Sequence, residues 1–207
     1  MITNRVYVNN RGAGREDAFK EAERFAEYNH FEKKGRLHLR LLTEEMLGMV
    51  SEIGGDFDAE FWIENDDENY RLCLEAEISS MSAEKREKLL KTSTSGKNAA
   101  AKGIMGKLRN IVELYWTGYK EALSSPANPR FPEYTYMGMT SMSSTVFDSY
   151  WKLSDYKGEI ESSENFSKTA EWDELEKSIV ANIADDVSVG IKNDTVEMVI
   201  TKKLNNI

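Results

Sequence analysis

The 207-residue sequence predicts an α+β domain in which an antiparallel sheet is covered on one face by helices. Two periodicities predict this fold class: apolar residues alternate in four short segments, and they recur every three or four positions in longer segments between them. An alternating strand has one apolar face and an amphipathic helix has one apolar stripe, so these surfaces must cover each other. We expect strands at 57–64, 70–78, 187–191 and 195–200, with helices near 36–53 and 104–120 over the sheet.

The chain begins with a pattern typical of one strand and two helices. Residues 5–9 alternate and are followed by a glycine-containing turn. A helix is predicted over 15–31, because five apolar residues share one face. A second helix over 36–53 ends at Gly54 and Gly55, where glycine is common. The apolar faces consist of Ala18, Phe19, Ala22, Phe25 and Ala26 in the first helix and of Leu42, Met46, Met49, Val50 and Ile53 in the second.

The pattern between the two predicted hairpins is mixed, and the sequence shows no internal repeat. A short helix is predicted around 83–91 and another helix over 170–185. Residues 124–167 predict no regular element apart from an extended stretch at 145–153. The apolar face of the last predicted helix consists of Trp172, Leu175, Ile179 and Ile183.

Length and charge limit the function classes. We interpret 1–207 as one domain, which is long enough to bury a core. A net charge of −9 and a pI near 5.0 argue against a nucleic-acid partner, because a protein that binds nucleic acid normally has a basic surface. Basic residues do cluster at two places, which indicates either solvated helix ends or a small anion site. The clusters are Lys33, Lys34, Arg36 and Arg40, and then Lys97, Lys102, Lys107 and Arg109.

Cysteine and histidine are scarce. Cys73 is the only cysteine, which excludes an internal disulfide, and its place in an alternating strand favours a structural thiol over a nucleophile. His30 and His38 together with Cys73 are too few for a zinc site. The N-terminus lacks the apolar core of a signal peptide and no segment is apolar over a membrane-spanning length, so we expect a cytoplasmic protein without a membrane partner.

A short glycine turn opens directly into the helix predicted at 104–120. Gly103 and Gly106 lie where the backbone can approach a ligand closely, and the amides of the helix N-terminus just beyond them can receive an anion. Two glycines before a helix are a weak signal alone, so the interpretation depends on the elements around them.

The order of elements resembles the histidine-kinase-type ATPase fold, the superfamily of gyrase, Hsp90, histidine kinases and MutL. Its layout is most similar to that of the small serine-kinase anti-sigma factors. The resemblance covers roughly residues 1–120 and 186–203, so 124–185 would be an insertion before the last two strands. It implies a sheet with helices on one face, and ATP with magnesium between the helices and a lid.

The resemblance implies a catalytic glutamate on the second helix. In the family, this glutamate is followed four residues later by an asparagine that coordinates magnesium. Glu45 is the candidate base, since it lies at the margin of the apolar stripe while Glu44 points away from it. The asparagine position falls on Met49 or on Gly48, neither of which offers an oxygen ligand. The alternative is an ordinary helix with two surface glutamates.

The other motifs match in part. The family reads adenine with an aspartate followed by glycines, whereas here Glu77 lies nearby and no glycine follows. Gly103 and Gly106 fit the family's glycine turn, and Lys97 and Lys102 are available for phosphate. The implied ATP and Mg²⁺ are therefore expected to bind weakly or not at all.

Three hypotheses about function follow. The first is a regulatory protein that binds a protein partner, either sigma-factor-like or another regulator, and a homodimer is left open. The second is an active nucleotide-binding serine kinase or ATPase of divergent sequence, and the third is an unrelated α+β domain. Aromatic residues in 124–185 suit an interface or, alternatively, the core of the insertion. They are Tyr134, Tyr136, Trp151 and Trp172.

Overall fold

The computed structural model describes residues 1–54, 57–66, 68–77, 149–162, 170–192 and 195–204. The predicted helices at 83–91 and 104–120 lie outside these residues. In chain order the elements are β1 (Val6–Asn9), α1 (Arg15–Tyr28), α2 (Lys33–Gly54), β2 (Asp58–Asn65), β3 (Asn69–Glu77), β4 (Ser149–Lys152), α3 (Leu153–Glu161), α4 (Ala170–Lys177), α5 (Ile179–Ile183), β5 (Asp186–Lys192) and β6 (Thr195–Lys203).

The described strands form one six-stranded sheet in the order β1-β2-β3-β6-β5-β4, and every neighbouring pair is antiparallel. β3 pairs with β6 along its whole length, from Asn69 opposite Lys203 to Glu77 opposite Thr195. The terminal hairpin therefore lies directly beside the first hairpin. The α+β class and the four strands of the predicted hairpins are confirmed, with small differences at their ends.

Apolar side chains form continuous rows across one face of the sheet. Ile63, Leu72, Ile200 and Val187 are successive cross-strand neighbours on β2, β3, β6 and β5. All four are completely buried. Burial of one such side chain contributes about 1.5–3 kcal/mol. Because β3 and β6 are the middle pair of strands in the sheet, they lie at the centre of this core. We call this pair of strands the seam.

Helices cover this apolar face among the described residues. α1 packs against β1 and β2, α2 against the seam, and α3 against β4 and β5. α1 begins immediately beside β1 because Gly14 approaches the Tyr7 carbonyl so closely that no Cβ would fit. The predicted faces of the first two helices are confirmed at the described side chains, which do not include Ile53. Their buried members are Ala18, Phe19, Ala22, Phe25 and Ala26 in α1 and Leu42, Met46, Met49 and Val50 in α2.

The prediction of one continuous helix over 170–185 is wrong, because the helix is interrupted at Ser178. This residue has an extended backbone (φ −74°, ψ 120°), and its hydroxyl accepts a hydrogen bond from the Ala181 N–H at 3.2 Å. The interruption turns Val180 toward the core, whereas Ile179 is 39% exposed. A serine that caps the second helix thus changes which residues are buried.

α3 occupies a segment in which no helix is predicted. Its buried residues Leu153, Tyr156 and Ile160 have helical spacing, but the helix has only nine residues and follows β4 without a loop. The Ser154 N–H and hydroxyl donate to the two carboxylate oxygens of Asp186, at 3.0 and 3.3 Å. A residue far along the chain therefore satisfies the first turn of α3, which local periodicity does not reveal.

The described elements follow the same order twice. A strand, α-helices and a two-stranded hairpin occur first as β1, α1, α2, β2 and β3 and again as β4, α3, α4, α5, β5 and β6. The last strand of each group meets the other at the seam, so the strand order is symmetric about it. We call β1–β3 with their helices the first half and β4–β6 with theirs the second half.

Candidate functional site

α2 places the two candidate glutamates in different surroundings. Glu44 is exposed, and its Oε1 lies 3.2 Å from the Arg15 guanidinium on α1. Glu45 is half-buried, beside the buried stripe residues Met46 and Met49. The structure agrees with the expected geometry, in which Glu45 lies at the margin of the stripe. The catalytic role of Glu45 stays a prediction.

The asparagine position offers no metal ligand. Met49 is buried in the core, and Gly48 is exposed with open space around its Cα. Magnesium requires oxygen ligands, which neither residue supplies from a side chain. Within the part of the chain that the structure describes, no group of three or more His, Cys, Asp or Glu side chains could hold a metal ion.

Glu77 is the last residue of β3 and is exposed. Its cross-strand neighbours are Asp58 on β2 and Thr195 on β6. Asp58 is a like charge directly opposite Glu77, an arrangement that is unfavourable unless a cation compensates it. The other predicted nucleotide-binding residues, Lys97, Lys102, Gly103 and Gly106, lie outside the described residues, so their approach to Glu45 and Glu77 stays a prediction.

A polar cluster that sequence reasoning missed lies at one end of the seam. Lys202 is on the core-facing side of β6, directly opposite Tyr70 on β3, and its side chain is only 9% exposed. Its Nζ lies 3.2 Å from Oδ2 of Asp185. The Lys203 N–H donates to the same oxygen at 2.7 Å, and the Asp185 N–H donates to the Thr201 carbonyl at 2.9 Å.

These contacts fix the charge state of Asp185. Partial burial acts to raise its pKa, but the hydrogen bonds from the Lys203 N–H and from Lys202, together with the charges of both lysines, hold the pKa below its usual value.

The alternation of β6 was the sequence signal that could have revealed the buried lysine. Val196, Met198, Ile200 and Lys202 all lie on the core-facing side of this strand. A lysine on that side predicts a buried, paired ammonium.

Two polar atoms next to this pair have no hydrogen-bond partner among the described residues: the hydroxyl of Tyr70 and Nδ1 of His38. Burial, and then the negative charge of Asp185, raise the pKa of Tyr70, so its phenol stays neutral. Burial lowers the pKa of His38, and the positive charges of Lys34 and Lys202 lower it further. We call Tyr70, Lys202, Asp185 and His38 the seam cluster.

A groove of about 320 Å³ runs between α1 and α2. Its charged walls are paired across it, with Arg40 3.0 Å from Glu23 and Arg36 3.8 Å from Glu27. The Arg36 Nε–H also donates to the Phe31 carbonyl at 3.0 Å. For these two arginines of the first basic cluster, the structure favours paired, solvated helix residues over an anion site.

Cys73 and two of the aromatic residues that the sequence singled out lie in the core or pack against it. Cys73 is buried, and burial, followed by the charge of Glu64, raises the pKa of its thiol to about 12, as expected for a structural rather than nucleophilic cysteine. Trp151 and Trp172 are partly buried and pack against the core, which favours the packing role over the interface role for these two residues. Tyr134 and Tyr136 lie outside the described residues.

No helix in the described ranges is both long enough and apolar enough to cross a membrane. Comparisons of the chain with protein-family models, with curated proteins and with solved structures found no match.

Proposed function

We propose that this chain is a regulatory protein on a histidine-kinase-type ATPase scaffold that acts by binding a protein partner. One observation carries the proposal. The described part of the chain has the expected order of strand, two helices, hairpin and terminal hairpin, with β6 paired to β3, while α2 holds a glutamate without a metal-binding asparagine. The insertion at 124–185 and the anti-sigma-like partner belong to the same proposal.

The missing oxygen ligand argues for weak or absent magnesium-ATP binding. Loss of one charge-assisted contact weakens a site by roughly 1.5–3 kcal/mol, which is about ten- to a hundredfold in affinity. The site would lose such a contact at Met49 or Gly48, and another where Glu77 replaces the adenine-reading aspartate without a following glycine. A partner surface does not depend on either contact.

The half-buried position of Glu45 favours one alternative, an active serine kinase or ATPase of divergent sequence. A carboxylate between core and solvent is suited to orient a water molecule beside a bound phosphate. In this alternative, Glu45 is the base and the predicted turn at Gly103 and Gly106 holds phosphate groups with Lys97 and Lys102.

Calorimetry with ATP and Mg²⁺ separates the two functions. We expect little or no heat for the wild type and no ATP hydrolysis. Glu44→Ala is the matched control for Glu45→Ala, since Glu44 is the neighbouring exposed residue and pairs only with Arg15 in the described contacts. Tight binding that is lost in Gly106→Val, together with turnover that is lost in Glu45→Ala but not in Glu44→Ala, would establish the enzyme and overturn our preference.

The partner-binding function needs its own measurement. A protein that co-purifies with the chain would be purified separately. It would then be titrated with the wild-type chain, once in the presence and once in the absence of nucleotide. We expect saturable binding that ATP does not change. Absence of saturable binding to every purified candidate would contradict the regulatory function.

A further inference from the structure

The contact between the N-terminal half of α2 and the seam contains a histidine in an unusual environment. Nδ1 of His38 is buried and has no hydrogen-bond partner among the described residues. An unpaired buried nitrogen is tolerated more easily in the neutral imidazole, whose second ring nitrogen need not carry a proton, than in imidazolium, where both nitrogens are donors. The site therefore accommodates the neutral form.

The charges around His38 act in the same direction. Lys34 precedes His38 by four residues on α2, so the two side chains lie on the same face of the helix. Lys202 reaches the site from β6 and is buried there. Two cations thus act on a group that would become a third cation on protonation.

The remaining elements supply little compensation. Asp185, just before β5, is bound to Lys202 and to the Lys203 N–H, and Tyr70 on β3 is neutral. α5 also packs on α2, but its five residues include no titratable side chain. The carboxylates that α1 presents to α2 are paired with the arginines of the groove, as described above.

We propose that His38 is a pH-sensitive contact: its neutral side chain allows the N-terminal half of α2 to pack on the seam, and its protonation weakens this packing. The direction follows from linkage. Because His38 binds its proton less readily in the folded chain than in the unfolded chain, its contribution to stability is present above about pH 6.5, the ordinary pKa of histidine, and is lost as the pH falls below it. Loosening begins in the helix that also carries Glu45.

The chain has only two histidines, which makes the titration simple to assign. NMR titration of the wild type should show an imidazole that protonates below the ordinary histidine pKa, and His38→Gln should remove that signal. Lys34→Gln removes a neighbouring cation from an exposed position, so it should shift the His38 titration to higher pH. Titration of His38 at or above the ordinary histidine pKa, or no shift in Lys34→Gln, would overturn the proposal.

Stability measurements test the structural consequence. Between about pH 7.5 and pH 5.5 the unfolding constant of the wild type should rise several-fold more than that of His38→Gln. His30→Asn is the control. The His30 backbone has φ 56°, a conformation that asparagine tolerates, so the variant should fold. Because it retains His38, it should keep the pH dependence that His38 contributes. Equal pH dependence in wild type and His38→Gln would contradict the proposal.

Amide exchange shows whether the effect is local. Acidification should accelerate exchange, after correction for intrinsic rates, in the first two turns of α2 more than in α1. A uniform change over both helices, or a change confined to α1, would show that His38 does not control the packing of α2.

Discussion

α1 and α2 have 14 and 22 residues, whereas the three helices that the structure describes in the second half have nine, eight and five. Both sets of helices connect the first strand of their half to its hairpin. α1, α2 and α3 pack on the sheet, whereas α4 packs on α5 and α5 packs on α2. The long helices are held by broad apolar faces. Apart from the pair of Arg24 with the buried Glu21, their ion pairs are exposed and contribute little. The short helices have smaller faces and depend on hydrogen bonds between side chains and backbone.

Those hydrogen bonds are numerous in the second half. Asp186 accepts from the first turn of α3, and Ser178 caps α5. The Lys157 ammonium donates to the Ala181 carbonyl at 2.8 Å, and the Asn182 amide donates to the Glu176 carbonyl at 2.7 Å. A helix of five to nine residues leaves a large share of its backbone groups without partners inside the helix, and these side chains supply such partners. The first half of the sheet is thus covered mainly through broad apolar helix faces, whereas the short helices of the second half are held in place by additional specific polar contacts.

The largest effect should come from the apolar packing of the first half. Leu42 on α2 is completely buried, so Leu42→Ala should lower the free energy of unfolding by roughly 2–5 kcal/mol through lost burial and a residual cavity. Leu37→Ala on the same helix is the control, since Leu37 is 54% exposed and should cost less than about 1 kcal/mol. Urea unfolding measures both, and similar losses for the two variants would contradict the assigned packing of α2.

An intermediate effect is expected where the halves meet. Asp185→Asn leaves the buried Lys202 ammonium without its carboxylate and should cost roughly 2–3 kcal/mol near pH 7, less than for a fully buried pair because the Asp185 side chain is 28% exposed. Asp173→Asn, at an exposed position on α4, is the control.

The pH dependence of that difference tests the same contact. Since the folded pKa of Asp185 is lowered, its contribution is present above the ordinary aspartate pKa and is lost as the pH falls through the lowered value. The gap in unfolding free energy between wild type and Asp185→Asn should therefore narrow in strong acid. A gap that is constant from neutral to acid pH would show that charge pairing is not its cause.

The smallest effect should come from a single cap in the second half. Ser178→Ala removes the hydroxyl that accepts from the Ala181 N–H and should cost about 1 kcal/mol. Ser162→Ala is the control. The Ser162 hydroxyl donates to the Glu159 carbonyl at the C-terminal end of α3, so it caps no helix N-terminus. Thermal unfolding measures both variants. If Ser178→Ala is as stable as the wild type or more stable, the higher helix propensity of alanine outweighs the cap. The short helices of the second half would then not depend on this polar contact.

The candidate site could be predicted only in part. Periodicity placed Glu45 at the margin of the α2 stripe, because a helix of 22 residues repeats its pattern often enough to fix its phase. The seam cluster escaped prediction, because it joins residues from α2, β3, β6 and the segment before β5. The alternation of β6 indicates that Lys202 faces the core, but it does not identify the residue with which Lys202 pairs.

The sequence by itself determined the α+β class, the two hairpins, the first two helices and the buried face of each. These follow from local alternation and helical spacing, which act over a few residues and need no partner element. Only the tertiary structure decided that β3 pairs with β6, that Ser178 interrupts the last helical segment, and that Asp185 and Lys202 meet beside His38. Strand order, caps and buried polar pairs depend on which elements come into contact, and contacts between distant residues leave no period in the sequence.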